Sequence, residues 1–250
     1  TGGATRSGAE IVRRFASNGW HVIIHYKSSS KEADALAANL LSAATIQCDL
    51  SDSSEVDCMV QQLAGEHRDW RCVVNSASVF DYDDATKIDV DTNRKAMQVN
   101  ALAPALLAQA YLASATASGG RRVIQITDMN LDNPNPDFFS YTMCKHALAA
   151  TIPMLAMGAA RPLDRIYGIA PGAILASHDQ TQDETETSHR LNLLERKTDA
   201  SEIAGAALFL AKGTLRSGST LFIDSGQHLM SQDRDVSYLA REMESSDAQA

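Results

Sequence analysis

The chain has 250 residues with 44% apolar content, and its 31 acidic residues outnumber 22 basic ones for a net charge of −9. That length and composition suit one α/β domain with a sizeable core, while an acidic balance without any basic cluster argues against nucleic-acid and anionic-membrane partners. No apolar run reaches the roughly 18 residues of a bilayer-spanning helix, so a soluble, cytoplasmic protein is expected.

In chain order, Thr1-Gly-Gly-Ala-Thr-Arg-Ser-Gly8 reads as a glycine turn opening a helix over 8–18. Backbone N–H groups and the helix dipole at such a turn receive a pyrophosphate, which makes Gly2, Arg6, Ser7 and Gly8 candidate cofactor contacts. A strand at 21–26, a helix at 30–41, a strand at 44–48 and a helix at 53–67 follow. A strand at 71–75, a long helix at 91–116, a strand at 121–127, a helix at 140–160, a strand at 163–169, a helix at 200–212 and a strand at 219–223 complete the series. Short apolar runs alternating with longer amphipathic stretches predict a Rossmann-type doubly wound parallel sheet flanked by helices, in one domain over 1–250. Such a sheet binds its ligand beyond the carboxyl ends of its strands. In this architecture a central strand precedes the glycine loop, yet the sequence opens at Thr1. The expectation is a sequence shortened at its N-terminus, because a sheet without that strand leaves ladder hydrogen bonds unmade.

The strand at 21–26 runs into His25-Tyr-Lys-Ser-Ser29 without a carboxylate. A ribose 2′-hydroxyl is met at this point by Asp or Glu, whereas a 2′-phosphate needs donors. His25, Tyr26, Lys27, Ser28 and Ser29, with Arg6 from the glycine loop, therefore favour NADPH over NADH. Asp49 and Leu50, after the next strand, fall beside the adenine; Asp49 also reads as a cap for the following helix.

Tyr141 and Lys145 stand four residues apart and share one face of the helix at 140–160. An ammonium beside a phenol favours phenolate and is expected to lower the tyrosine pKa from about 10, making it a proton donor in turnover. Asp128 closes the run Val123-Ile-Gln-Ile-Thr-Asp128, just upstream of that helix. Cys48, Cys58, Cys72 and Cys144 lack paired ligand spacing and the seven histidines form no cluster, so no metal site is expected.

With Asn75-Ser-Ala-Ser78, Asn100 and Pro171-Gly172 added, the ordered series resembles the short-chain dehydrogenase/reductase family over almost the whole chain. The resemblance implies cofactor contacts at Asn75, Ser76, Ala77, Ser78, Thr127, Tyr141, Lys145, Pro171, Gly172 and Ile174, and a water-holding role for Asn100 in the proton relay. Ser76 departs from the family's Asn-Asn-Ala pattern. Asp128 stands where the family has serine, and Arg6 where it has Gly or Ala. With His25-Tyr26, Phe80 and the tail Phe222-Ile-Asp-Ser-Gly-Gln-His-Leu229, these departures resemble the pteridine reductase branch. That implies joint action of Asp128, Tyr141 and Lys145, with Phe80 stacking on a pterin, and a homotetramer paired through the helices at 91–116 and 140–160. Without the resemblance, Asp128 reads as a turn cap and Phe80 as a packed loop anchor. The polar stretch 174–197 reads as a substrate lid whose acidic run favours a neutral biopterin- or monapterin-like substrate over a polyglutamylated folate. The expected reaction is NADPH-dependent reduction of a 7,8-dihydropterin, or dihydrofolate, to its tetrahydro form. Alternatives are a general carbonyl or 3-oxoacyl reductase and an inactive nucleotide-binding scaffold.

Overall fold

The computed structural model describes residues 1–174 and 180–247. Strands β1 (Val22–Tyr26), β2 (Ala43–Gln47), β3 (Cys72–Asn75), β4 (Arg122–Ile126), β5 (Arg165–Pro171) and β6 (Thr220–Ile223) alternate with helices. These are α1 (Arg6–Ala16), α2 (Ser30–Ala38), α3 (Ser53–Glu66), α4 (Val90–Ala96), α5 (Ala103–Ser114), α6 (Phe139–Gly158), α7 (Gln182–Ser188), α8 (Ala200–Ala211) and α9 (Val236–Asp247). All strand pairs are parallel, β1 with β2 and then β3, β4, β5 and β6 in that order.

The strands are apolar at successive positions because both faces are covered. Val123 of β4 and Ile166 of β5 pack with Leu107 and Tyr111 of α5, Val60 of α3 and Ile152 of α6. Their neighbours Ile124 and Tyr167 point to the other side, against Ile11 and Phe15 of α1 and Ile203 and Leu210 of α8. Each such side chain contributes about 1.5–3 kcal/mol of burial. At the amino ends of β4 and β5 a buried ion pair locks the two strands. Arg121 donates from Nε to Asp164 Oδ1 at 3.0 Å and from Nη2 to Oδ2.

Two sequence expectations are corrected. The long helix expected at 91–116 is two helices joined by a π turn, Met97–Leu102. Pro104 explains the break: it has no N–H to donate to the carbonyl of Asn100, four residues back. Helices α7 and α9 were not expected, and they pack on each other through Arg241 Nε and Glu184 Oε1 at 3.2 Å. The sheet is in two parts: the facing edges of β1 and β3 border a slot of about 130 Å³ lined by Val22, Ile23, Cys72 and Val74. Thr1 to Gly3 bridge its end, Thr1 N donating to Val74 O and Gly3 N to His25 O at 3.0 Å.

Candidate active site

A cleft of about 850 Å³ opens where the strands end and the glycine loop, β4, β5 and the N-terminus of α6 converge. Of the residues expected at a cofactor, Gly2, Arg6, Ser7, Gly8, His25, Lys27, Asp49, Leu50, Ser76, Ala77, Ser78, Thr127, Tyr141, Lys145, Pro171, Gly172 and Ile174 line it. The glycines are there for clearance. A Cβ on Gly8 would lie 2.0 Å from the Gly2 carbonyl oxygen, and one on Gly2, whose φ is +62°, would lie 2.8 Å from Ala77 Cα. Thr5 gives α1 no side-chain cap and the first turn carries no acid, so this helix end suits an anionic ligand. The cradle fits a dinucleotide pyrophosphate.

Other expected contacts have different work. Tyr26 packs beside Ile24 and Leu36, and Ser29 precedes the first turn of α2. Ser28 is exposed and, like Tyr26 and Ser29, does not line the cleft. Asn75 ties β3 to β4 and α5, donating to Gln125 Oε1 at 2.9 Å and Pro104 O at 3.2 Å. His25 lines the cleft, yet both its ring nitrogens bind main chain: Nδ1 accepts from Gly2 N and Nε2 donates to Cys48 O, each at 3.0 Å. Burial holds its pKa down to about 4, so the neutral ring joins the glycine loop to the end of β2. Lys27 reaches Asp49 Oδ2 at 2.8 Å, and this bond with those from Ser51 draws the Asp49 pKa down to about 2.

The groups expected to react meet at the ends of β4 and α6. The Tyr141 hydroxyl donates to Asp128 Oδ2 at 2.8 Å, while Asp128 Oδ1 accepts from Asn130 N at 2.9 Å. Asp128 is therefore both the turn cap and the tyrosine's partner. Burial pushes its pKa up, and the bonds from Asn130 and Tyr141 oppose this. The expectation that Lys145 lowers the tyrosine pKa is corrected. Burial and the Asp128 charge push Tyr141 well above its ordinary value, and Lys145 Nζ instead donates to Ile126 O at 2.8 Å, 5.4 Å from the phenol ring centre. Burial also pushes the Lys145 pKa down. The phenol is thus held protonated, a donor to Asp128.

Phe80 lines the cleft as an anchored ring, stacked on Phe138 with centroids 4.1 Å apart and edge-on to Tyr141 at 4.6 Å. Asn100 does not line it: Oδ1 accepts from Val79 N and Nδ2 donates to Val79 O, both at 2.8 Å, which holds the segment carrying Phe80. The expected lid contributes Gln180, Ser188 and His189 to the cleft, and its residues 175–179 lie outside the described residues.

Sequence reasoning missed how α6 is started. Phe138, its N-cap residue, has left-handed backbone with φ +49° and no capping side chain, so Asp83 supplies the cap from a distant loop, accepting from Ser140 N at 2.8 Å. It also missed the C-terminal wall of Asp235, Val236 and Ser237. The signal was present as an Asp two residues before Ser at the head of the apolar-spaced Val236-Ser-Tyr-Leu-Ala240. Among the described residues no group of His, Cys, Asp or Glu could hold a metal, and no helix is long and apolar enough to cross a membrane.

Residues 3–228 match the family model described as enoyl-(acyl carrier protein) reductase. Short-chain dehydrogenase reductase 5 of Arabidopsis thaliana is 27% identical over 237 residues, covering 90% of this chain and 92% of that protein. The chain belongs to the short-chain dehydrogenase/reductase family. Within it, pteridine reductase 1 of Leishmania tarentolae is 26% identical over 274 residues, covering 92% of this chain and 95% of that protein. The crystal structure of FolM alternative dihydrofolate reductase 1 from Brucella canis complexed with NADP superposes with a TM-score of 0.85 at 30% identity, covering 94% of each chain. The short-chain fold, the Tyr141–Lys145 spacing and the glycine cradle thus agree with one another.

Proposed function

We propose that this short-chain reductase uses NADPH to reduce the C=N bond of a 7,8-dihydropterin to the tetrahydro form, with dihydrofolate as a further substrate. The observation that carries the reading is the 2.8 Å bond from the Tyr141 hydroxyl to Asp128 beside the aromatic wall of Phe80. The pteridine reductase and dihydrofolate reductase relatives support it. NADPH, when bound, supplies a hydride to the substrate carbon. Gly2, Gly8 and the open end of α1 would hold its pyrophosphate, and Arg6 and Lys27 its 2′-phosphate.

Hydride addition to the carbon of C=N leaves the electron pair on nitrogen, so one proton must arrive there. Tyr141 donates it, and Asp128, whose pKa burial raises, passes a proton to the resulting phenolate and regains one from solvent water. A serine in the place of Asp128 could offer only a hydrogen bond; a carboxylic acid can hand over a proton. Lys145 steadies this end of β4 through Ile126 O. The water-holding role of Asn100 would fall to its main-chain carbonyl, which Pro104 deprives of its α-helical donor, because the side chain is engaged by Val79.

The description of the matching family model favours a second reading, reduction of an acyl or carbonyl substrate. NADPH oxidation measured with 7,8-dihydrobiopterin, 7,8-dihydrofolate, a crotonyl thioester and acetoacetyl thioester separates the two. Turnover of the dihydropterin is expected, and activity confined to thioesters would overturn the pterin reading. The exposed Met143, Met154 and Met157 of α6 support a homotetramer paired on that helix, which light scattering at micromolar concentration tests. A cytoplasmic location goes with this reading.

A further inference from the structure

We propose that Asp235 is a specificity-determining residue of this cleft: its free carboxylate oxygen accepts from uncharged N–H or O–H donors on the substrate and disfavours carboxylate-bearing substrates relative to uncharged ones. This rests on the cleft being a reductase site, though not on the substrate being a pterin.

Asp235 lines the cleft with Asp128, Tyr141 and Ser237. Its Oδ1 accepts from Ser237 N at 3.0 Å and Ser237 Oγ at 2.6 Å, and no hydrogen bond among the described residues reaches Oδ2. The carboxylate is firmly held. Its own N–H donates to Asp137 Oδ2 at 2.9 Å, and Arg234 grips Asp137 with two bonds, Nε to Oδ2 at 2.8 Å and Nη2 to Oδ1 at 2.9 Å. Tyr238, on the next turn, continues the aromatic wall through Phe138 to Phe80. A rigid segment thus presents one unengaged acceptor to the substrate space.

The charges around it set the sign of the selection. Lys95 is paired with Asp81 at 2.7 Å, Lys27 with Asp49 at 2.8 Å, Arg234 with Asp137, and Lys145 donates to Ile126 O. Asp128 and Asp235 are left as the acids of the reacting end, and the charge of Asp235 acts on Asp128 and on Tyr141, raising the pKa of each. Burial raises the pKa of Asp235 itself, against the bonds from Ser237. An incoming carboxylate here meets like charge in a poorly solvated space, whereas a hydroxyl or amino group fills the open acceptor. Capping α9 does not require a charge, since Asn or Ser caps a helix as well as Asp.

The test uses Asp235→Asn and Asp235→Ser, which keep the cap. Selectivity is the ratio of kcat/KM for the uncharged member to that for the carboxylate member of two pairs, 7,8-dihydrobiopterin with 7,8-dihydrofolate and ethyl acetoacetate with acetoacetate. The same ratio is read from the Kd values of biopterin and folic acid on the NADPH-loaded protein. The expected result is a selectivity lowered about tenfold in both variants, like-charge repulsion being the part removed, at unchanged Tm and NADPH affinity. Unchanged selectivity overturns the proposal, and so does an equal loss on both members accompanied by a lower Tm, which marks a cap and nothing more. If the wild-type protein reduces only the ketoester pair, the pterin reading falls while Asp235 is still judged on that pair and on the Kd ratio.

Discussion

Asp128→Asn should slow turnover and stabilise the protein in the same stroke. Asparagine can still accept from Asn130 N through its oxygen, so the turn keeps its cap. Its other atom becomes an amide nitrogen, which cannot accept from the Tyr141 hydroxyl and cannot return a proton to it. Loss of a general acid costs about 10²–10⁴ in rate, so dihydropterin turnover should fall at least about 100-fold while NADPH affinity holds. The stability effect follows from the direction of the Asp128 pKa. Its folded value is raised above the ordinary 3.8, chiefly by burial. The stability of the protonated carboxyl is therefore fully present below that ordinary value and is lost as pH rises through the folded pKa. Above it, wild type carries a buried carboxylate that the asparagine variant lacks. The Tm of Asp128→Asn should exceed that of wild type at about pH 8, with the gap closing towards about pH 4. Asp128→Ala loses the cap as well, worth about 0.5–2 kcal/mol. Steady-state NADPH oxidation and thermal melts across pH measure both effects. An asparagine variant of near-wild-type activity, or one less stable than wild type at the higher pH, would refute the reasoning.

Gly8→Ala should reduce NADPH binding beyond detection in a fluorescence titration, since the new Cβ falls 2.0 Å from the Gly2 carbonyl oxygen, a rigid backbone atom. Asp49→Asn releases Lys27 from its 2.8 Å partner and should tighten NADPH by up to about tenfold with little change for NADH, read from paired Kd values. Arg121→Met leaves Asp164 buried without its guanidinium and should cost about 3–5 kcal/mol in urea unfolding, most of it regained in Arg121→Met/Asp164→Leu. An unchanged midpoint in the single variant would contradict the burial of that pair.

The parallel fold and the lower half of the cleft were legible because their signals are local. Glycine clearance at Gly2 and Gly8, short apolar runs at β3 to β5, and the four-residue step from Tyr141 to Lys145 are each written within a few neighbouring residues. What escaped depends on pairs that the chain brings together from far apart. Asp83 caps α6 from 57 residues away, and Arg234 grips Asp137 from 97 residues away. The Tyr141 pKa was misjudged for the same reason: the ammonium of Lys145 is engaged by a carbonyl of β4, and burial, which no spacing reveals, outweighs it. The π turn could have been read from Pro104, whose missing donor lies one helical step from Asn100.

This division has a mechanical meaning. Asp128 hangs from the end of β4 and Tyr141 from the first turn of α6, both seated on a sheet buried on its two faces, so their 2.8 Å contact is fixed by the core. The opposite wall comes from α7, the segment after β6 and the head of α9, joined by the part-buried pair of Arg241 with Glu184 and anchored to Asp137 by Arg234. This wall lies outside the two clusters that bury the sheet, so under the proposed function its residues can change without disturbing the contact of Tyr141 with Asp128. Reaction type under the proposed function therefore follows from the sheet, and the choice of substrate from the peripheral segments. Under the proposed function, a cleft assembled in this way can exchange one small substrate for another through Asp235, Ser237 and His189, while Asp128 and Tyr141 keep their place on the sheet.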